Sequence, residues 1–301
     1  MSMKSMKNTC YLMFLGLMVS SSAVQALDFA TYNIRNFDAD PRSQVRTNKP
    51  ALKDILLSLN AELMAVEEIV NVPEFENFVA QNLPEYTFKL TDCGGAGKQR
   101  LGFLYKRDKL VLQKFIEEDR VANGGACGKG LRPAAIGHFY DNEKKIEFTA
   151  VAVHLKAGGR QANADVRFRQ YQIIGTLIKE LRTQGHERVV VMGDFNTTDY
   201  VLRNQNYARF ISFLDQNHLV DFSPEINCTA YWWGGVDDGI EYSSILDHVI
   251  LTQEMFDSFK SHTVKVHAHC QKAQCGNVSS DELGVSYNEV SDHCPLALSL
   301  E

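Results

Sequence analysis

Beyond its first two dozen residues, the sequence has no apolar run long enough to cross a bilayer, no internal repeat, no low-complexity tract and no linker. It also lacks a basic excess: 31 Lys and Arg stand against 37 Asp and Glu, a formal charge of −6. Each absence excludes something. Without a later apolar span, an integral helical membrane protein is excluded. Without a linker, nothing divides the chain into two domains. Without a basic excess, a polyanionic partner must be met by local cationic patches or by metal ions.

The one apolar run, Tyr11–Val19, follows Lys4 and Lys7 and precedes the small and polar SSSAVQA. That order is the order of a secretory signal peptide, with cleavage expected after Ala26. Its core is too short to span a bilayer comfortably; an N-terminal anchor is the alternative. The expected mature protein is a single domain over 27–301, soluble, monomeric and secreted or periplasmic. Losing Lys4 and Lys7 takes its charge from −6 to −8.

Of 7 cysteines, Cys10 lies in the export segment. An even remainder behind an export signal favours disulfides, and six cysteines allow fifteen pairings. The expected set is Cys93–Cys127, Cys270–Cys275 and Cys228–Cys294. The competing idea is a metal cluster of His267, His269, Cys270 and Cys275, whose spacing matches no common zinc pattern. The two histidines read as solvated side chains.

Strand patterns occur in DFATYNI (28–34), ELMAV (62–66), RLGFLYK (100–106), IEFTAVAVHL (146–155), SILDHVIL (244–251) and PLALSL (295–300). Leu52, Ile55, Leu56 and Leu59 recur at helical spacing, and residues 166–185 form a longer amphipathic helix stopped by Gly185. Strands outnumber helices and interleave irregularly with them. The class expected is α/β, a sandwich with sheets inside and helices outside, rather than a doubly wound parallel sheet.

In RVVVMGDFNTTD (188–199) a buried strand halts at Gly193. Alternation then sends Asp194 and Asn196 to one side and Phe195 to the other. A plain turn is the bland alternative. The pattern recurs, however. Asn33, Glu67 with Glu68, His154, Asp247 and Asp292 with His293 also stand at strand ends. Gathered on one rim, these residues supply carboxylates for a hard cation and histidines for proton transfer near neutral pH. His248, next to Asp247, falls on the opposite face and reads as structural.

The ordered motifs TYNIRNF, AVEEIVN, LRPA, AVHL, MGDFN, ILDHVIL and SDHCP resemble the endonuclease/exonuclease/phosphatase superfamily, in its deoxyribonuclease I-like and bacterial extracellular nuclease branches. The resemblance implies two packed β-sheets in a four-layer α/β/β/α sandwich. It implies Glu68 as a metal-binding carboxylate, with Glu67 where Gln is usual. It gives Asn33 and Asp292 to metal or phosphate, and Asp194 and Asn196 to the attacking water and the phosphate. Asp247 pairs with the terminal His293, which is read as taking the water's proton; which of His293 and His154 is base and which acid is left open by the sequence. His154 and Arg132 contact the scissile phosphate. The cofactor implied is Mg²⁺, with Mn²⁺ or Ca²⁺ as alternatives.

Two departures accompany the resemblance. Gln99 falls where the deoxyribonuclease I branch has an acid supporting the first His, and Gly97 falls near its minor-groove aromatic. The substrate expected is nucleic acid, DNA with RNA as the variant, acted on by an endonuclease. Arg35, Arg42, Arg46, Lys156, Arg160, Arg167 and Arg169 are candidate backbone contacts. Tyr231, Trp232 and Trp233 suit base stacking, head-group contact or plain loop packing. The alternative substrate is a sphingomyelin-type phospholipid, cleaved by a phosphodiesterase or phosphatase on the same core. A non-catalytic toxin or binding subunit is the third reading.

Overall fold

In a computed structural model, residues 26–38, 47–122, 130–197 and 203–301 are described. Most of the export segment, Arg42, Arg46 and Cys127 lie outside these residues. In chain order the strands are β1 (Leu27–Phe37), β2 (Leu63–Ile69), β3 (Tyr86–Leu90), β4 (Arg100–Lys106), β5 (Leu110–Glu118), β6 (Ala134–Asp141) and β7 (Glu147–His154). They continue as β8 (Val189–Asp194), β9 (Leu219–Asp221), β10 (Ala230–Trp232), β11 (Tyr242–Ser244), β12 (Asp247–Thr252), β13 (His262–Val266) and β14 (Leu296–Leu300). The longer helices are α1 (Lys49–Leu59), α2 (Val72–Asn82), α3 (Gln161–Thr183) and α4 (Gln205–Gln216).

The strands form two six-stranded mixed sheets and one hairpin. The first sheet runs β13-β14-β1-β2-β4-β3, the second β5-β6-β7-β8-β12-β9, and β10 pairs with β11. Between the sheets, Leu27, Phe29, Ala65, Phe103, Phe139, Phe148, Met192 and Leu298 make a dry core. Outside the first sheet, Ala30, Tyr32, Met64 and Val66 pack on α1 and α2 through Leu52, Leu56, Phe75 and Phe78. Outside the second, Val151, Val189, Val191 and Ile250 pack on α3 and α4 through Ile174, Ile178, Phe210 and Phe213. The layers are therefore helix, sheet, sheet, helix, as the motif resemblance implied. No helix of the described residues is long and apolar enough to cross a membrane.

Local chemistry sets the helix ends. Asn48 and Asn71 accept the Ala51 and Glu74 backbone N–H groups, with Pro50 and Pro73 in the first turns of α1 and α2. That is the expected start signal. Gly185, just past α3, has φ +88°, the left-handed conformation of a helix stop.

Disulfide pairing differs from expectation. Cys228 pairs with Cys275 and Cys270 with Cys294. Cys270 and Cys275 are close in sequence, but the short helix Ala268–Ala273 carries Cys270 inward and leaves Cys275 beyond its left-handed end. Cys93 is disulfide-bonded, and its expected partner lies outside the described residues. With Cys270 and Cys275 oxidised, the cluster with His267 and His269 is not a metal site. His269 is fully buried rather than solvated, and burial holds its pKa down at about 4.

Candidate active site

The inner faces of the strands around the site are mostly apolar and turn polar at one end. On β1 the inward row is Leu27, Phe29, Thr31, Asn33; on β2 it is Leu63, Ala65, Glu67. On β7, β8 and β12 it ends or begins in His154, Asp194 and Asp247. Register aligns them: His154 pairs with Asp194 across the parallel β7–β8 ladder, and Asp194 with Asp247 across β8–β12. Opposite them, Asn33 pairs with Glu67. The site thus sits where the rims of both sheets meet.

Alternation alone would send Glu68 outward, toward the helices. The β1–β2 register shifts between Asn33 and Phe37, and Glu68 takes φ +61°. This bulge swings its carboxylate to the rim. There Glu68 Oε1 accepts from Asn33 Nδ2 at 3.3 Å, and Oε2 accepts from the Asn36 N–H at 2.9 Å. Asn33 Nδ2 also donates to Asp194 Oδ2 at 3.2 Å, while its Oδ1 accepts from the Arg35 N–H at 3.0 Å. Asn33 therefore ties the Glu68 and Asp194 carboxylates together through its two amide N–H groups.

Two histidines flank Asp194. His154 Nε2 lies 3.3 Å from Asp194 Oδ2 and His293 Nε2 lies 3.8 Å from the same atom. His293 Nδ1 is 2.8 Å from Asp247 Oδ2, the pair foreseen in the sequence. Arg132 Nη2 is 3.0 Å from His154 Nε2 and donates at 2.8 Å to Gln99 Oε1. A guanidinium only donates, so His154 Nε2 accepts. Gln99 consequently supports Arg132, not His154. Asn196 takes φ +52°; its N–H donates to Asp194 Oδ1 at 2.8 Å and its Nδ2 to the Leu155 carbonyl at 3.3 Å. Phe195 turns the other way into the outer core. Asp292, half-buried, adjoins His293 in the chain.

The two histidines are driven apart in protonation. Burial, with the Arg132 and His293 charges, holds His154 well below the usual range and neutral. Burial opposes charge on His293 too, but the Asp247 and Asp194 charges and the Asp247 hydrogen bond lift it well above 6.5. Asp194 is pushed up to about 7, mainly by burial, against the pull of His293 and with the push of Asp247. Glu67 is raised well above the carboxylate range, first by burial and then by Asp247 and Asp194. It accepts from Thr31 Oγ1 at 3.1 Å. Oppositely shifted neighbours of this kind mark acid and base roles.

The donor set fits a divalent cation. Asp247 Oδ1 is buried without a hydrogen-bond partner, and ligand atoms of Asp194, Asp247 and His293 all lie within 4.8 Å of one another. A cationic His293 already neutralises part of this group, so a hard cation is better met by the Glu68 carboxylate at the same rim, 3.7 Å from His154 and held by Asn33 and the Asn36 N–H.

Several supporting residues carried no signal in the sequence. Thr229 Oγ1 accepts the Asp247 N–H at 2.9 Å. Ser291 Oγ donates to the Asn33 carbonyl at 2.6 Å and accepts from the His293 N–H at 3.1 Å. Both come from irregular segments, where neither period applies; only the Ser of SDHCP was in view. His248 is structural, as its face implied. It is fully buried, 2.5 Å from Thr197 Oγ1 and 3.0 Å from Asp221 Oδ2. Arg167, expected at a groove, is instead buried and donates to the Lys156 and Gly158 carbonyls. Tyr231 is buried, whereas Trp232 and Trp233 are exposed.

A two-sheet sandwich with one rim of paired carboxylates and histidines defines a class, the deoxyribonuclease I-like phosphoesterases. The chain belongs to the Endonuclease/Exonuclease/phosphatase family, whose model matches residues 30–293. An endonuclease/exonuclease/phosphatase from Bacteroides vulgatus is similar at 20% identity and TM-score 0.66, covering 92% of this chain and 99% of its own. Mannosyl-6-phosphatase Bt3783 of Bacteroides thetaiotaomicron is similar at 18% identity and TM-score 0.60, covering 91% and 99%. D. rerio TDP2, solved with a single-strand DNA product, is similar at 13% and TM-score 0.61, covering 92% and 99%. At these identities the likeness is one of fold. No curated protein matches.

Proposed function

We propose that the protein is a divalent-metal-dependent phosphodiesterase that cuts nucleic acid, DNA first and RNA second, as an endonuclease. The observation that carries this reading is the placement of His154 and His293 on either side of Asp194, one neutral and one cationic. Glu68 and Asp292 would hold Mg²⁺, which supplies Lewis-acid stabilisation of charge on the phosphate. Asp194, at about 7, is matched to accept the proton of the attacking water. His293, kept cationic by Asp247, hands a proton to the departing oxygen. Arg132, held by Gln99 and His154, would turn its remaining guanidinium N–H groups to a non-bridging oxygen; Asn33 ties Glu68 to Asp194, and Asn196 fixes Asp194 through its backbone N–H. This assignment gives Asp194 the base role read for His293 in the sequence, where base and acid were left open, because a protonated His293 has no free electron pair to accept with.

Disulfides among the described residues favour an oxidising compartment, in line with secretion or a periplasmic location. Lys98, Arg100, Lys156 and Arg160 flank the Gln99–Arg132–His154 chain in sequence and suit neighbouring phosphates of a polymer. A second reading, a phospholipid head-group substrate, draws on the exposed Trp232 and Trp233.

The test is nicking of supercoiled plasmid by residues 27–301, with Mg²⁺ or EDTA, beside His293→Ala. Metal-dependent nicking by the parent, lost in the variant, is the expected result. Intact plasmid and RNA together with phosphocholine released from sphingomyelin would replace the nuclease reading with the lipid one.

A further inference from the structure

Both tryptophans of the chain are adjacent, Trp232 and Trp233, and both are exposed, at 50% and 58%. Such large apolar surface beside a catalytic rim marks an interaction site. The strand that bears them is tied to the catalytic dyad. Ala230 bridges to His293, the Tyr231 N–H donates to the Asp292 carbonyl at 2.9 Å, and Thr229 holds the Asp247 N–H. Trp232 stands two residues beyond Ala230 on an extended strand, about 7 Å further on. The hairpin is also braced from within. Tyr242 Oη donates to Asp238 Oδ2 at 2.7 Å, and Gly234 lies so close to the Tyr242 ring that a Cβ would come within 2.5 Å of it.

Charge decides what this arm can meet. Residues 210–259 contain no Lys or Arg, and Asp237, Asp238 and Glu241 lie in the hairpin itself. An arm without cations holds neither a phosphate nor an anionic membrane. Lys98, Arg100, Lys156 and Arg160 adjoin the Gln99–Arg132–His154 chain in sequence, while the cation near the arm's base, Arg35, is engaged with the Asn288 carbonyl at 2.9 Å. A polymer with further phosphates on the His154 side, and an uncharged flat group on the His293 side, matches both halves. Building on the nuclease reading, we infer that Trp232 and Trp233 form a stacking arm for an unpaired base of single-stranded nucleic acid, next to the scissile phosphate. Stacking is indifferent to sequence and needs a base face that a duplex hides. The enzyme then favours single strands or frayed ends.

The two tryptophans make the test direct, since all intrinsic indole fluorescence comes from this arm. The full chain from residue 27, in EDTA so that nothing is cut, is titrated with oligothymidylate and separately with phosphatidylcholine–sphingomyelin vesicles. Quenching by the oligonucleotide is expected. In parallel, Trp232→Ala should lower the ratio of kcat/KM on single-stranded oligonucleotide to kcat/KM on methyl p-nitrophenyl phosphate by about tenfold. A blue shift with vesicles and no quenching by oligonucleotide overturns the inference in favour of a lipid contact. No change with either ligand also overturns it. The two readings fail separately: quenching without plasmid nicking keeps the arm and removes the nuclease, and nicking without quenching does the reverse.

Discussion

A Cβ placed on Gly193 would lie 1.9 Å from the carbonyl oxygen of Val153, across the β7–β8 ladder, at a φ of +138°. The glycine that halts the apolar run is therefore what lets β8 approach β7 closely enough to set Asp194 beside His154. Gly193→Ala should cost about 3 kcal/mol or more through strain and lost pairing. At roughly 2–4 °C per kcal/mol, a melting curve should move down by about 6–12 °C. An unchanged Tm would show that the two strands have slack there.

Asp247→Asn keeps the shape of the His293 partner and removes its charge. His293 should then titrate nearer its ordinary range, and kcat should fall by about 10²–10⁴-fold. The ring-proton NMR titration of His293, with and without the substitution, checks the cause independently of turnover. A titration curve that does not move would mean that Asp247 is not what keeps His293 cationic.

Asp194 binds its proton more tightly in the fold than in the open chain, the reverse of a salt-bridged carboxylate. Between pH 3.8 and about 7 the folded protein holds a proton that the unfolded chain has lost, so this group's contribution to stability falls as pH rises through that window. Asp194→Asn removes the penalty. In EDTA, its Tm minus that of the parent should increase between pH 4 and pH 8 while its hydrolytic activity is lost. A difference that stays flat with pH would show that Asp194 is not the raised carboxylate.

Cys294 follows His293 directly and is tied to Cys270, while Cys228 precedes Thr229 and is tied to Cys275. Replacing Cys270 and Cys294 together by Ser should cost about 2–5 kcal/mol. It should lower kcat at temperatures where circular dichroism still reports a folded chain, because the His293 segment loosens before the sheets do. Equal loss of activity and of fold across a temperature series would make the bridge merely global.

The rim residues were legible because inward strand faces switch from apolar to polar at a fixed position, which single-chain alternation reveals for Asn33, His154, Asp194 and Asp247. Glu68 was not legible that way. Its placement depends on a left-handed residue at a bulge, and only the motif resemblance pointed to it. Among the strands that went unread, β3, β5, β9 and β13 are the four sheet edges. Edge strands keep exposed polar side chains and can lose the period, as in LVLQKFIEE of β5, while HTVKV of β13 alternates but is short and only half-buried. Cysteine pairing was out of reach for another reason: Cys228 and Cys275 are 47 residues apart, and their meeting is decided by the hairpin and a short helix.

The last strand, β14, lies between β1 and β13, with Leu296 opposite Thr31 and Leu300 opposite Leu27. Asn33 and Glu68 are thus synthesised early, but His293 reaches them only when residues 296–300 have joined the sheet. A chain clipped before that strand would keep His293 in its sequence yet lack the β14 pairings to β1 and β13 that seat it beside Asn33.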